Sequence, residues 1–123
     1  MGLLKKLFGL PRGKPEPPPP EHAVLVYLKL SDAKFGTPED RASIHRLSAS
    51  LESAINTAAV GDFDGDEFGK GECALFMYGP DADRLFATIE PIVRASRHAQ
   101  GARAIKRYGP AQNQSSRRVQ IDL

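Results

Sequence analysis

Residues 60–79 read VGDFDGDEFGKGECALFMYG, and this stretch decides how the rest of the chain folds. Its second half, residues 73–78, is nearly continuously apolar, which is typical of a strand in the middle of a sheet. Its first half, residues 60–68, places aromatic side chains among carboxylates, and Gly69-Lys70-Gly71 between the halves carries turn residues. The stretch therefore predicts a β-hairpin that joins one polar strand to one buried strand.

The segment before the hairpin predicts a strand and a helix. Residues 22–30, HAVLVYLKL, alternate in the manner of a strand. Thr37 and Pro38 supply a helix N-cap and a first helical residue, and acidic residues follow in the first turn. Gly61 follows as a stop signal. Between these signals an apolar stripe recurs at helical spacing; it consists of Ile44, Leu47, Leu51, Ala54, Ile55 and Ala58.

The segment after the hairpin predicts a second helix and two more strands. Gly79-Pro80-Asp81 opens the helix. Pro91 removes one backbone hydrogen bond inside it, so we expect the helix to kink or to end early. Residues 102–108 and 117–123 are predicted strands separated by a polar loop. The buried face of the helix is predicted to consist of Leu85, Phe86, Ile89, Ile92 and Val93.

The predicted order of elements is βαββαβ with an additional C-terminal strand. Right-handed connections around both helices turn this order into an α+β ferredoxin-like sandwich, with two helices on one face of an antiparallel sheet. The expected order across the sheet is the fourth, first, third and second strands, with the final strand extending the sheet or pairing with the fourth. Because this fold carries many unrelated activities, it assigns no function by itself.

The chain divides into a tail and one domain. Residues 1–20 are predicted to be a flexible, basic, proline-rich tail, in which Pro17 to Pro20 favour an extended spacer. Residues 21–123 are predicted to form a single ferredoxin-like domain. The whole chain is 41% apolar and 26% charged, which excludes wholesale disorder. Its one cysteine, Cys73, excludes an internal disulfide and fits a reducing compartment, so we expect a cytoplasmic protein.

Residues 1–10 carry an amphipathic pattern that is too short to span a membrane but able to lie on one. Apolar burial and the attraction of Lys5 and Lys6 to anionic lipid are offset by the cost of ordering the segment. We therefore expect weak, reversible contact with the inner face of a membrane rather than an anchor. The apolar residues of the pattern are Leu3, Leu4, Leu7 and Phe8.

The acidic run at residues 62–67 is the densest chemical signal. Its Asp-Phe-Asp-Gly segment resembles the nucleophile motif of haloacid-dehalogenase-like phosphatases, although that family places the motif after a parallel strand. The same carboxylates fit the first positions of a calcium loop, but Glu67 stands where glycine is needed. A charged edge strand that resists unwanted pairing explains the run without any ligand. We expect no metal or cofactor, and a metal-dependent phosphatase stays an alternative.

Nucleic-acid binding finds little support in the sequence. The βαββαβ order is also that of the RNA recognition motif, and Tyr27 echoes the stacking residue of its first strand. Glu72 and Ala74, however, stand at the two third-strand positions that need aromatic residues. The nearby carboxylates would also repel phosphate, so we expect no nucleic-acid partner.

Catalytic residues are not predicted. His22, His45 and His98 are scattered, and no spacing suggests a Ser/His/Asp or Cys/His site. His45 lies beside the helix stripe and is predicted to be a surface residue. Cys73 opens an apolar strand, so a buried, inert thiol is expected there.

Charge is segregated along the chain, although the formal net charge is only +2. Residues 62–83 hold seven carboxylates and one cation, whereas residues 94–118 hold seven cations and no carboxylate. In the predicted sheet the two groups lie at opposite edges, too far apart to neutralise each other. We therefore predict two protein-binding surfaces. They are an acidic hairpin of Asp62, Asp64, Asp66 and Glu67, and a basic fourth-strand edge of Arg103, Lys106 and Arg107.

Three segments together resemble small uncharacterised bacterial proteins: Phe-Asp-Gly at 63–65, GPDADRLF at 79–86 and RYGP at 107–110. The resemblance spans most of the globular part and implies a single ferredoxin-like unit. It implies no activity and no site residues.

These observations favour a non-enzymatic domain that binds another protein. Complementary charge would steer the choice of partner more than it would add affinity. The alternative in the same class is a small inhibitor or immunity protein, whose carboxylates mask a basic nuclease site. Oppositely charged edges also predict a homo-oligomer that pairs strand to strand and weakens with salt.

Overall fold

The computed structural model describes residues 21–123, so the tail and the membrane contact predicted for residues 1–10 lie outside the described residues. Every predicted strand and helix of the domain is present. The strands are β1 (His22–Lys29), β2 (Asp62–Gly69), β3 (Glu72–Gly79), β4 (Arg103–Arg107) and β5 (Arg118–Asp122), and the helices are α1 (Pro38–Ala58) and α2 (Ala82–Arg94). Neither helix is long and apolar enough to cross a membrane.

The five strands form one antiparallel sheet in the order β2-β3-β1-β4-β5. This confirms the predicted α+β architecture, a ferredoxin-like fold with an extra strand. Because β5 pairs with β4 from Arg118 to Asp122, β4 is an interior strand between β1 and β5. The expectation that the basic residues of β4 lie at an edge of the sheet is therefore wrong, since that edge belongs to β5.

Both helices pack on one face of the sheet and enclose the core. Successive strand residues point to opposite faces, so Val24, Val26 and Leu28 of β1 share the helix side. The predicted buried face of α2 is confirmed, with Ile92 only partly buried. The largest fully buried side chains include Leu28, Ile44, Leu51, Ile55, Leu75, Met77, Leu85 and Ile89.

Helix α1 begins and ends through local backbone chemistry. The Thr37 hydroxyl accepts the backbone N–H of Asp40 at 3.0 Å, and the Asp40 carboxylate accepts the N–H of Thr37 at 3.1 Å, which forms a capping box. The helix ends at Ala58, and Ala59 adopts a left-handed conformation with φ 55°. The stop thus comes before Gly61, and Val60 turns into the core instead of beginning β2.

Helix α2 continues past its internal proline. It runs through Pro91 to Arg94, so the prediction of an early end is wrong. The missing N–H costs one hydrogen bond. The last turn is retained because Val93 is fully buried in the core and Ile92 packs against it.

Candidate functional site

The face of the sheet that carries no helix has an apolar centre. Phe76, Leu25 and Ile105 lie side by side across β3, β1 and β4, because Leu25 pairs with Phe76 on one side and with Ile105 on the other. All three are half-buried. We call this surface the open face and these three residues the apolar row. The neighbouring rows of the open face add Ala23, Tyr27, Ala74 and Tyr78.

The apolar side chains of the open face exceed what the sheet needs for its own core. An antiparallel sheet with one covered face ordinarily alternates apolar residues inward with polar residues outward. In β1, however, Leu25 and Tyr27 interleave with the buried Val24, Val26 and Leu28, so both faces are apolar. Contiguous apolar surface with a polar rim is typical of a contact surface for another molecule.

The predicted acidic hairpin is divided between the two faces of the sheet. Asp62 pairs with Tyr78 and Glu67 with Ala74, so both carboxylates lie on the open face. Asp66 pairs with Leu75 and lies on the helix side. The division arises from a bulge, because the register of β2 shifts between Phe63 and Gly65, and Asp64 is the extra residue. The four carboxylates therefore do not form one surface.

The predicted basic residues are divided in the same way. Arg103 and Arg107 lie on the open face, paired with Tyr27 and Ala23 of β1. Each covers an aromatic ring, since the Arg103 guanidinium lies 4.3 Å from the Tyr27 centroid and that of Arg107 lies 6.0 Å from Tyr78. Arg107 is buried, and its Nε donates to the carbonyl of Gly109 at 2.7 Å.

Lys106 lies on the helix side and reaches helix α2. Its Nζ donates to Asp83 Oδ1 at 2.9 Å and lies 5.2 Å from the ring centroid of Phe86. The Tyr108 hydroxyl donates to the same Asp83 oxygen at 2.6 Å. These two hydrogen bonds, that of Tyr108 first, lower the pKa of Asp83, and the carboxylate raises the pKa of Lys106.

The acidic and basic groups partly neutralise each other, which corrects the expectation that they are too far apart. Besides the pair of Lys106 with Asp83, Arg103 Nη1 donates to Glu72 Oε2 at 2.6 Å across the intervening strand β1. This bond raises the pKa of Arg103. The sequence distance between the two charged segments concealed the contact, because the sheet places β3 and β4 on either side of one strand.

Charges without an ion-pair partner in residues 21–123 remain at both margins of the open face. Asp62 and Glu67 of β2 lie at one margin, and Arg118 and Asp122 of β5 lie at the other. All four are exposed. One row of the sheet runs from Asp62 through Tyr78, Ala23 and Arg107 to Arg118. That row is negative at one end and positive at the other.

A buried Ser–His contact was not expected from the sequence. Ser43 Oγ lies 2.8 Å from His98 Nε2, and both residues are buried. Burial, together with the charge of Arg97, lowers the pKa of His98, which favours a neutral imidazole. The contact ties α1 to the segment after α2. The 55-residue separation of the two side chains offers no sequence signal for it.

Within residues 21–123, no carboxylate accepts a hydrogen bond from His98 to complete a catalytic triad. Asp40 is the nearby carboxylate that favours protonation of His98, but its oxygens accept hydrogen bonds from Ser31 and Thr37. What the geometry shows is a hydrogen bond that joins two segments of the domain.

The remaining sequence candidates occupy unremarkable positions. Cys73 is buried, and burial raises the pKa of its thiol to about 12, so it is the inert thiol that the sequence predicts. His45 is exposed, as expected. The Asp-Phe-Asp-Gly segment lies on an antiparallel edge strand. Within residues 21–123 no three His, Cys, Asp or Glu side chains group together in a way that could hold a metal ion.

No protein-family model, curated protein or solved structure matches this chain. The resemblance drawn from the three segments stays a prediction.

Proposed function

We propose that this chain is a non-enzymatic protein-binding domain whose contact surface is the open face. The observation that carries the proposal is the apolar row of Phe76, Leu25 and Ile105, on a sheet face that neither helix covers. Leaving these side chains against water forfeits the stabilisation that burial gives, about 25 cal/mol for each Å² of apolar surface. A partner seated on the open face would recover it.

The residue types around the apolar row support protein recognition. Tyrosine and arginine are enriched among the residues that contribute most binding energy in protein interfaces. Here Tyr27 stacks with Arg103, and Tyr78 lies beside Arg107. The guanidinium of Arg103 is also held by Glu72. Such pre-ordered side chains lose less conformational freedom when a partner binds.

The charges at the margins would orient the partner. Asp62 and Glu67 border one end of the apolar row, and Arg118 and Asp122 border the other. An inhibitor that masks a basic nuclease site would use only the acidic margin and would leave the apolar row unexplained. We therefore prefer a binding domain that uses the whole open face, and keep the expected cytoplasmic location as part of the proposal.

Site-specific photocrosslinking in producing cells tests this function. We expect a benzoylphenylalanine that replaces Tyr27, on the open face, to give a covalent adduct with a protein. The same group in place of Glu52, which is exposed on α1 and therefore lies on the other side of the sheet, serves as the control and should give none. Adding Leu25→Glu to the Tyr27 probe should lower the adduct yield about tenfold, because it places a charge in the apolar row.

The proposal fails if the Tyr27 probe gives no adduct. It also fails if the Glu52 probe gives the same adduct in equal yield, or if Leu25→Glu leaves the yield unchanged.

A further inference from the structure

A groove lies between α1 and the end of α2, on the side of the sheet away from the open face. Its volume is about 590 Å³, which is within the range of pockets that hold small molecules. We call it the helix groove, and we propose that it binds a small organic anion, an apolar body that carries one carboxylate. The proposal is independent of the open face. The described residues that line the groove include no carboxylate; they are Ser43, Arg46, Leu47 and Ser50 of α1, and residues 91, 92 and 95–98 at the end of α2.

Part of the lining of the helix groove is apolar. Leu47 lies on α1, and Ile92 lies on α2 beside Pro91. Ile92 belongs to the apolar face of α2 but is only partly buried, and Pro91 is exposed. An apolar body in the groove would cover these side chains and recover the stabilisation that burial gives.

Two guanidinium groups supply positive charge to the helix groove. Arg46 and Arg97 are exposed, and neither has an ion-pair or side-chain hydrogen-bond partner within residues 21–123. By contrast, Arg94 and Arg103 pair with carboxylates, and Arg107 donates to a backbone carbonyl. A guanidinium presents a fork of N–H donors that fits the two oxygens of a carboxylate. The helix groove thus brings together two unpaired forks from separate segments of the chain.

Negative charge near the helix groove is already compensated. Glu90 of α2 pairs with Arg94 at 2.8 Å. Asp40, whose charge reaches His98, accepts two hydrogen bonds from Ser31. The C-terminal end of a helix carries roughly half a negative charge, which two guanidinium groups outweigh. The groove is therefore positive overall and favours an anion.

His98 adds a hydrogen-bonding group from the buried part of the lining. The residue is only 6% exposed, and its Nε2 lies 2.8 Å from the Ser43 hydroxyl. The other ring nitrogen, Nδ1, has no hydrogen-bond partner within residues 21–123, and it is not sealed from solvent. When the Ser43 hydroxyl donates to Nε2 of the neutral ring, the proton of the ring is on Nδ1. That proton can then be donated to a carboxylate oxygen in the groove.

The mixture of apolar and basic residues favours an organic carboxylate over inorganic phosphate. Arg46 and Arg97 would bind either anion, but phosphate has no apolar part to cover Leu47 and Ile92. Pockets for small molecules ordinarily combine an apolar lining with a few polar groups that fix the orientation of the ligand. The helix groove has this composition.

An NMR titration of the full chain with 2-naphthoate tests the proposal. We expect the amide shifts to change most in residues 43–50 and 91–98, and the nitrogen shifts of the bound His98 ring to show the proton on Nδ1. The matched control ligand is 2-naphthamide, which has the same rings without the charge. It should bind at least about tenfold more weakly, because it cannot form charged hydrogen bonds with the guanidinium groups.

Variants of the full chain test the two arginines. Arg46→Gln and Arg97→Gln should each weaken the binding of 2-naphthoate about fivefold, the effect expected of an exposed ion pair. Arg84→Gln is the matched control, because Arg84 is exposed on α2 but does not line the helix groove. It should leave the dissociation constant unchanged.

Four results would overturn the inference. They are the absence of shifts at millimolar 2-naphthoate, equal affinity for 2-naphthamide, unchanged affinity in both Arg46→Gln and Arg97→Gln, and shifts centred on the open face. None of these results bears on photocrosslinking from Tyr27, so the protein-binding function stands or fails separately.

Discussion

Asp40 shows how a single side chain joins the start of α1 to the end of β1. The carboxylate is 1% exposed, and it accepts hydrogen bonds from the hydroxyl and the N–H of Ser31, at 2.7 and 2.9 Å, and from the N–H of Thr37. These bonds, with the Ser31 hydroxyl first, lower the pKa of Asp40 from 3.8 to about 2 although burial opposes the shift. The charged form is therefore the one that the fold stabilises.

Asp40→Asn should lower the free energy of unfolding by about 2 kcal/mol at pH 7, because it removes that charged acceptor. The folded-state pKa lies below the unfolded one, so this stability is present above about pH 4 and is lost as the pH falls toward 2. Urea unfolding at pH 7, 4 and 2.5 should show that the difference in free energy of unfolding between the variant and the wild type becomes smaller as the pH falls. Glu39→Gln, an exposed neighbour, is the control, and a gap that stays constant with pH would contradict this account.

At the residue scale, the sequence predicts which side chains are buried or exposed, but it does not predict contacts between distant segments. The burial of Cys73 and the exposure of His45 follow from their places in apolar and amphipathic patterns. The hydrogen bond of Ser43 to His98 does not, because it depends on where the segment after α2 returns to α1. The Arg103–Glu72 pair was hidden for the same reason, since it needs the strand order as well as the residue types.

At the scale of elements, two glycines allow the end of α1 to pass closely beside the end of β3. A Cβ at Gly61 would overlap the carbonyl oxygen of Tyr78, and a Cβ at Gly79 would overlap that of Val60. Gly61 also has φ +152°, a conformation that residues with side chains rarely adopt. The glycines are therefore required by backbone contact, and they begin β2 at the position that pairs Asp62 with Tyr78.

Gly61→Ala should lower the free energy of unfolding by more than about 3 kcal/mol, since it adds a backbone clash to an unfavourable φ. Gly65→Ala is the matched control. Gly65 has φ +149°, but nothing lies within 4 Å of its added Cβ, so only the conformational cost of about 1–2 kcal/mol applies. Urea unfolding of both variants measures how much free energy of unfolding each one loses. Equal losses in Gly61→Ala and Gly65→Ala would show that the close backbone contact at Gly61 contributes nothing.

The strands and helices could be predicted from the sequence, but the register of β2 against β3 could not. The apolar periodicity of residues 22–30, 73–78 and the two helices predicts the topology, because each pattern allows one buried face. The bulge in β2 is not visible in the same way: one extra residue at Asp64 decides which carboxylates reach the open face. Pro91 was expected to kink α2 or to end it early, and the early end is wrong because the packing of Val93 outweighs one lost hydrogen bond.

At the scale of the whole molecule, the sheet has a side buried against the helices and an open face, which we propose as the binding surface. The helix side holds the core and the Lys106–Asp83 pair, and the open face holds the apolar row between an acidic margin on β2 and a margin of mixed charge on β5. The sequence carried a signal for this, because Leu25, Tyr27, Phe76 and Tyr78 occupy alternate positions where a one-sided sheet would have polar residues. Segregated charge led to the prediction of two binding edges, whereas the surface that we propose is one face of the sheet.

Photocrosslinking from Tyr27 in producing cells tests the central claim, that the open face is a contact surface, most directly. We expect the Tyr27 probe to give a covalent adduct with a protein, and Leu25→Glu in the same chain to lower its yield about tenfold. A probe at Glu52, which is exposed on α1, should give no adduct. No adduct from Tyr27, or an equal adduct from Glu52, would contradict a contact surface on the open face.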